Sequence, residues 1–209
     1  GLPIRHVVFD FDGTLVDSNR CKLDGFHRIA ELHPGGSVCM EEVLQQEPGN
    51  RQAKIASYVQ RMRILAPGLV LDVDRLVARY SADVDAAVSR APEMVGAQAL
   101  LDLLRRQGLS CYLSSATPLA NLRAIIENRG WIGYFEGIFG HPATKIETLK
   151  LLFERTGTPA SGFAVIGDGA DDRDSADATG CRFFSVGEGR GSDAGQPVYQ
   201  LHDLAALFS

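Results

Sequence analysis

Two carboxylates one residue apart, Asp10 and Asp12, stand in the run Asp10-Phe11-Asp12-Gly13-Thr14, directly after an apolar stretch. A second acidic group, Gly167-Asp168-Gly169-Ala170-Asp171-Asp172-Arg173-Asp174, follows another apolar stretch far along the chain. Carboxylates gathered in one place repel one another unless a cation neutralises them. An all-oxygen set of this kind suits Mg2+, which keeps several waters and combines one or two carboxylates with a phosphate. A helix-loop-helix calcium loop does not fit, because its glycine belongs at the sixth position and Gly13 follows Asp12 at once.

Two further groups carry reactive side chains. In Ser114-Ser115-Ala116-Thr117-Pro118, Thr117 is predicted to cap a helix and Pro118 to open it, turning free backbone N–H groups toward Ser115. A hydroxyl beside a helix N-terminus makes an anion site, and simple capping accounts for the same residues equally well. In Gly140-His141-Pro142-Ala143-Thr144-Lys145-Ile146-Glu147, the spacing of Thr144 and Glu147 is that of a capping box, which places Lys145 in a first helical turn. A cation there opposes the helix dipole unless an anion is bound nearby, so Lys145 is either a phosphate ligand or a solvated lysine. His141 reads as a loop residue, and Gly187-Glu188-Gly189-Arg190-Gly191 as a plain loop that does not match G-x-G-x-x-G.

The elements that must position these residues alternate between strand and helix, the pattern of an α/β fold with a Rossmann-like parallel sheet. Short buried strands are predicted at about 4–10, 110–115, 135–139, 163–167 and 182–186. Helices are predicted at about 97–107, 118–128, 145–156 and 172–179, with Gly108 and Gly180 ending two of them. Parallel strands deliver their carboxyl ends to one sheet edge, which brings Asp10, Ser115, Lys145 and Asp168 together. The rhythm breaks between 18 and 90, where helices at about 20–32, 40–46, 51–65 and 73–90 are separated by His33-Pro34-Gly35-Gly36, Glu47-Pro48-Gly49 and Ala66-Pro67-Gly68. The expected domains are therefore an α/β core, 1–17 with 91–209, and an inserted helical cap, 18–90.

Composition narrows the partners. The 209 residues are 45% hydrophobic, enough for one core and a small accessory domain. A net charge of −5 with dispersed Lys and Arg gives no basic stripe for nucleic acid. No apolar run approaches the roughly 18 residues of a membrane span, and no signal-like lead-in precedes the first strand. The four cysteines are far apart, which fits reduced thiols and a cytoplasmic location. No feature specifies an oligomeric state.

In this order the four groups resemble the haloacid dehalogenase-like (HAD) hydrolase superfamily. Asp10-Phe11-Asp12-Gly13-Thr14-Leu15-Val16-Asp17 is similar to its first motif, Ser115 to its second, Lys145 to its third, and Gly167-Asp168 with Asp172 to its fourth. The resemblance implies strand order 5-4-1-2-3 and an α-helical C1-type cap, as in the phosphoglycolate phosphatase-like branch. It implies Asp10 as nucleophile and Asp12 as general acid and base. Mg2+ would be held by the Asp10 and Asp168 carboxylates and the Asp12 backbone carbonyl, with Asp172 in support. Ser115 and Lys145 would bind the phosphoryl group of a small phosphorylated metabolite, with Thr14 and Ala116 as further candidates for substrate binding.

Within the superfamily Asp12 argues against a dehalogenase, which has no leaving alkoxide to protonate, and Thr14 favours a phosphatase. Ser115-Ala116-Thr117 departs from the Thr-Asn pair frequent in phosphoglycolate phosphatases, which leaves the particular substrate open. A phosphosugar mutase using the same residues and a non-enzymatic phospho-aspartate switch are the rival readings. In the helical insertion Lys22, Arg51 and Lys54 are the cationic candidates for substrate contact. Arg51 and Lys54 share a helix face, and a solvated cationic face explains them as well.

Overall fold

The computed structural model describes residues 3–193 and 195–208. The chain divides into two compact units, Gly1–Ser18 with Ala91–Ser209, and Asn19–Arg90.

In the first unit six parallel strands form one sheet: β1 (His6–Phe9), β2 (Ser110–Pro118), β3 (Gly137–His141), β4 (Phe163–Gly167), β5 (Arg182–Val186) and β6 (Val198–Tyr199). Their order is β3-β2-β1-β4-β5-β6, the expected arrangement extended by one edge strand. That added strand has two residues, too few to show a period of two in sequence. β4, and β1 after His6, are apolar throughout, as expected of strands covered on both faces. Val7, Val8 and Phe9 of β1 and all of β4 are buried. On one face Val8, Tyr112, Phe163 and Val165 pack with Leu149, Leu152 and Ala176 from the covering helices. Truncating such a leucine to alanine costs about 2–5 kcal/mol, so these contacts hold the strand ends in place.

Register fixes what meets at the carboxyl edge. β1 lies between β2 and β4 with Phe9 opposite Leu113 on one side and Ile166 on the other. The next residues outward are Asp10, Ser114 and Gly167, and the Asp10 N–H continues the ladder to the Ile166 carbonyl at 2.9 Å. Five helices belong to this unit: α5 (Ala97–Arg106), α6 (Leu119–Asn128), α7 (Lys145–Thr156), α8 (Ala170–Thr179) and α9 (Leu201–Leu207). Gly108 and Gly180 take positive φ at the ends of α5 and α8.

One expectation fails at the start of α6. Thr117 does not cap that helix and Pro118 does not open it; β2 runs on to Pro118, which occupies the cap position without a side-chain bond. A residue before proline is pushed toward extended backbone, so Thr117 stays in the strand. The register with β3 slips between Ser114 and Pro118 to carry this extension.

The second unit is all helical: α1 (Asn19–Ala30), α2 (Gly36–Gln46), α3 (Arg51–Leu65) and α4 (Val73–Arg90). α1 packs on α4, α2 on α3, and α3 on α4. Asn50 caps α3 by accepting from the Ala53 N–H at 3.0 Å. Among the described residues no helix is long and apolar enough to cross a membrane.

Candidate active site

Asp10 emerges from β1 with its side chain 13% exposed, and Lys145 Nζ lies 3.5 Å from its Oδ1. Lys145 is delivered by α7, whose capping box is present as the spacing predicts: the Glu147 N–H donates to Thr144 Oγ1, and the Thr144 N–H to Glu147 Oε2. Its ammonium also bonds Asp172 Oδ1 and lies 2.8 Å from Asp171 Oδ2. Burial alone would lower the lysine pKa, but Asp10, Asp172 and Asp171 outweigh it and raise the pKa, so Lys145 is charged. The same crowding works on the acids. Burial, then the neighbouring Asp172, pushes Asp10 well above the ordinary carboxylate range, with Lys145 opposing. Burial likewise pushes Asp172 up to about 6 against the pull of Lys145.

The turn from β4 into α8 sets the other acids. Asp172 Oδ2 accepts from the Gly169 N–H at 3.1 Å, which folds its carboxylate back over the strand end. Gly167 makes room for this, since a Cβ there would sit 2.2 Å from that same oxygen. Asp168, buried beside it, accepts from Thr14 Oγ1 at 3.3 Å on one oxygen and from Arg190 Nη2 at 2.7 Å on the other. Asp10, Asp168 and Asp172 each offer a carboxylate oxygen within 4.8 Å of the others. Buried, mutually repelling and made only of oxygen, this set fits a hard divalent cation and could hold one.

Asp12 has a different environment. Its Oδ1 accepts from the buried Ser18 hydroxyl at 2.6 Å. The segment between them is tied down by the Gly13 N–H to the Val16 carbonyl at 2.8 Å and the Leu15 N–H to the Phe11 carbonyl at 2.9 Å. Phe11, Leu15 and Val16 are fully buried beneath it.

The remaining candidates are placed as follows. Ser115 lies buried near the end of β2 and accepts from the Thr117 N–H at 3.2 Å. Its neighbour Ser114 lines a small cavity with Asp10, Lys145, Asp172 and Ser175, a set in which Ser115 is not found. Ala116 is exposed, as is His141 at the end of β3. Lys22 is half-buried in α1 and its carbonyl accepts from the Tyr80 hydroxyl at 3.1 Å. The Arg51 fork is turned inward: it grips both oxygens of Asp85 at 2.9 and 3.2 Å and Ser81 at 2.7 Å, and stacks over Tyr80. Lys54 Nζ bonds the Glu47 carbonyl. Both cations are thus engaged within the helical unit. Cys39, Cys111 and Cys181 are buried and Cys21 half-buried, all four as free thiols.

Sequence reasoning did not single out Ser18 or Arg190. Ser18 follows Asp12 by six residues with no recognised spacing, and Arg190 sits in a glycine-rich stretch whose partner is 22 residues away. No local pattern marks either contact.

A parallel, doubly wound sheet with a helical insertion after its first strand, and an acidic site with one lysine at the carboxyl ends of its central strands, defines the class. A family model for haloacid dehalogenase-like hydrolases matches residues 4–180, and the chain belongs to that family. It is 29% identical over 200 residues to the phosphoglycolate phosphatase of Cereibacter sphaeroides, covering 88% of this chain and 85% of the relative. Its fold is similar to that of a predicted phosphoglycolate phosphatase from Haemophilus somnus, with a TM-score of 0.78 at 14% identity over 99% of this chain and 98% of the other. It is similar too to the magnesium-bound HAD-hydrolase YfnB of Bacillus subtilis, with a TM-score of 0.75 at 15% identity over 99% of each chain.

Proposed function

We propose that this hydrolase is a Mg2+-dependent phosphatase that cleaves a small-molecule phosphomonoester through an aspartyl-phosphate on Asp10. The observation that carries the reading is the division of labour between two aspartates only two residues apart. Asp10 faces Lys145 among the carboxylates, while Asp12 is held apart by Ser18.

An Asp10 oxygen attacks phosphorus as the bond to the leaving oxygen breaks, and Asp12 gives that oxygen its proton. Asp12, now a carboxylate, takes a proton from water. The water oxygen attacks phosphorus, the bond to Asp10 breaks, and inorganic phosphate leaves with the nucleophile restored. Lys145 stays charged throughout and binds phosphoryl oxygens, and Ser115 is assigned to the same task from the neighbouring strand. Asp10, Asp168 and the Asp12 backbone carbonyl would hold Mg2+, with Asp172 supporting. When bound, the ion neutralises charge between the nucleophile and the phosphoryl oxygens, which lets two anions approach. Substrate choice is assigned to the helical unit, inserted in the chain directly after the first motif.

The reading is tested with p-nitrophenyl phosphate. The native protein is expected to release inorganic phosphate in Mg2+ and to stop in excess EDTA, and Asp10→Asn is expected to lose at least about 1,000-fold in kcat. Turnover surviving in the Asp10→Asn protein would sink the covalent route.

A further inference from the structure

The segment Gly187-Glu188-Gly189-Arg190-Gly191 joins β5 to β6 and takes no part in the chemistry proposed above. It is nonetheless fastened to the acidic motif. The Gly191 N–H donates to the Asp168 carbonyl at 2.9 Å. Arg173 Nη1 holds Asp193 at 2.7 Å and reaches the Gly191 carbonyl at 3.5 Å. The approach is close enough to demand glycine: a Cβ at Gly187 would lie 2.4 Å from the Gly13 carbonyl oxygen, and one at Gly191 would lie 2.5 Å from that of Gly169.

So seated, the loop carries the Arg190 guanidinium to Asp168. Nη2 is 2.7 Å from Asp168 Oδ2, and Nε is 3.5 Å from Glu188 Oε2. Asp168 is 3% exposed while Arg190 is 56% exposed, so a solvent-accessible cation rests on a buried carboxylate. Lys145 serves Asp10, Asp171 and Asp172, whereas Arg190 serves Asp168.

We propose that Arg190 sets the divalent-cation affinity of the site by competing for the Asp168 carboxylate. Resting on the reading of Asp168 as a Mg2+ ligand, this makes Arg190 a positioning residue that touches the ligand and not the substrate. A positive charge beside one oxygen of a carboxylate draws electron density from it and repels an approaching dication. Water screens part of the effect because the guanidinium is half exposed, which limits it to a several-fold change that weakens with salt.

The experiment is calorimetric titration of Mg2+ into the full chain at low ionic strength, without substrate. Arg190→Ala is expected to bind Mg2+ roughly fivefold more tightly, with the gain shrinking at high salt. Arg190→Gln, which keeps length and removes charge, is expected to do the same. Unchanged or weaker Mg2+ affinity in these variants overturns the proposal. Asp168→Asn tests the ground beneath it: Mg2+ binding as tight as in the native chain would overturn the assignment of Asp168 as a ligand.

Discussion

A hydroxyl donating at 2.6 Å to one oxygen of Asp12 fixes the rotation of that carboxyl group. Asp10 has other surroundings, with burial and neighbouring acids raising its pKa and Lys145 opposing them. Two identical side chains thus meet different surroundings, and Ser18 is the contact that distinguishes Asp12. Ser18→Ala is expected to lower kcat roughly tenfold with KM little changed, since general acid and base catalysis is worth about 100- to 10,000-fold and only orientation is lost. The loss should be larger on an alkyl phosphate than on p-nitrophenyl phosphate, whose leaving group departs without a proton. Equal losses on the two substrates would show that Ser18 acts through something other than the acid. The steady-state comparison needs only the two substrates and the two proteins.

At the level of elements, a tight constraint is the turn between β4 and α8, where Asp172 folds back onto Gly167. Gly167→Ala places a methyl group 2.2 Å from Asp172 Oδ2, so the carboxylate or the strand end must move. The expected cost is about 1–3 kcal/mol in urea denaturation, together with weakened Mg2+ binding. Normal metal affinity in a folded Gly167→Ala protein would detach Asp172 from the site. In the helical unit Arg51 bridges α3 to α4 through Asp85 and Ser81. Arg51→Ala is expected to cost about 2 kcal/mol, less than for a fully buried pair because Asp85 keeps some access to water. KM should not change; a rise in KM without loss of stability would restore Arg51 as a substrate grip. These two sites show where sequence was sufficient and where it was not. α3, α4 and α7 begin and end where their glycine, proline and capping signals place them, because those signals act within a few residues. The inward turn of Arg51 depends on Asp85, a partner 34 residues away, and the extension of β2 through Thr117 depends on pairing with β3. A distant partner decided the first, whereas the second joins the local preference of a residue before proline to pairing with another strand. The acids were legible because parallel strands must present their carboxyl ends together, whereas Ser18 and Arg190 were reached only through the folded path of two loops.

For the molecule as a whole, a site that gathers acids for chemistry should show in how stability responds to pH. Asp172 has an ordinary pKa of 3.8 and is pushed by burial up to about 6 in the folded chain, and Asp10 moves in the same direction. The folded state therefore holds protons that the unfolded state has already released. The Asp172 contribution to stability is fully present below about pH 4 and is lost as pH rises through about 6, on the order of 3 kcal/mol, and Asp10 acts in the same direction. Glu147 and Asp171 run the other way. Bonds from the Thr144 backbone and hydroxyl lower Glu147, and Asp171, although burial favours its neutral form, is lowered by Lys145. Their contributions are present above their ordinary values of 4.5 and 3.8 and are lost on acidification through the lower folded ones. These windows separate, which leaves roughly pH 4.5 to 6 to Asp172, opposed there by His6, whose pKa burial lowers and which therefore adds stability as pH rises toward its ordinary 6.5. In EDTA the melting temperature is expected to fall across that window. Added Mg2+ stabilises only the form that binds it, and it binds carboxylates, so its stabilising effect should be small at pH 5 and large at pH 7.5. Thermal melts at several pH values with and without Mg2+ make the comparison. A metal-free pH slope between 4.5 and 6 that Asp172→Asn leaves unchanged would mean that Asp172 is not held as a reluctant acid, and the case for a cation-dependent site at this sheet edge would lose its electrostatic basis.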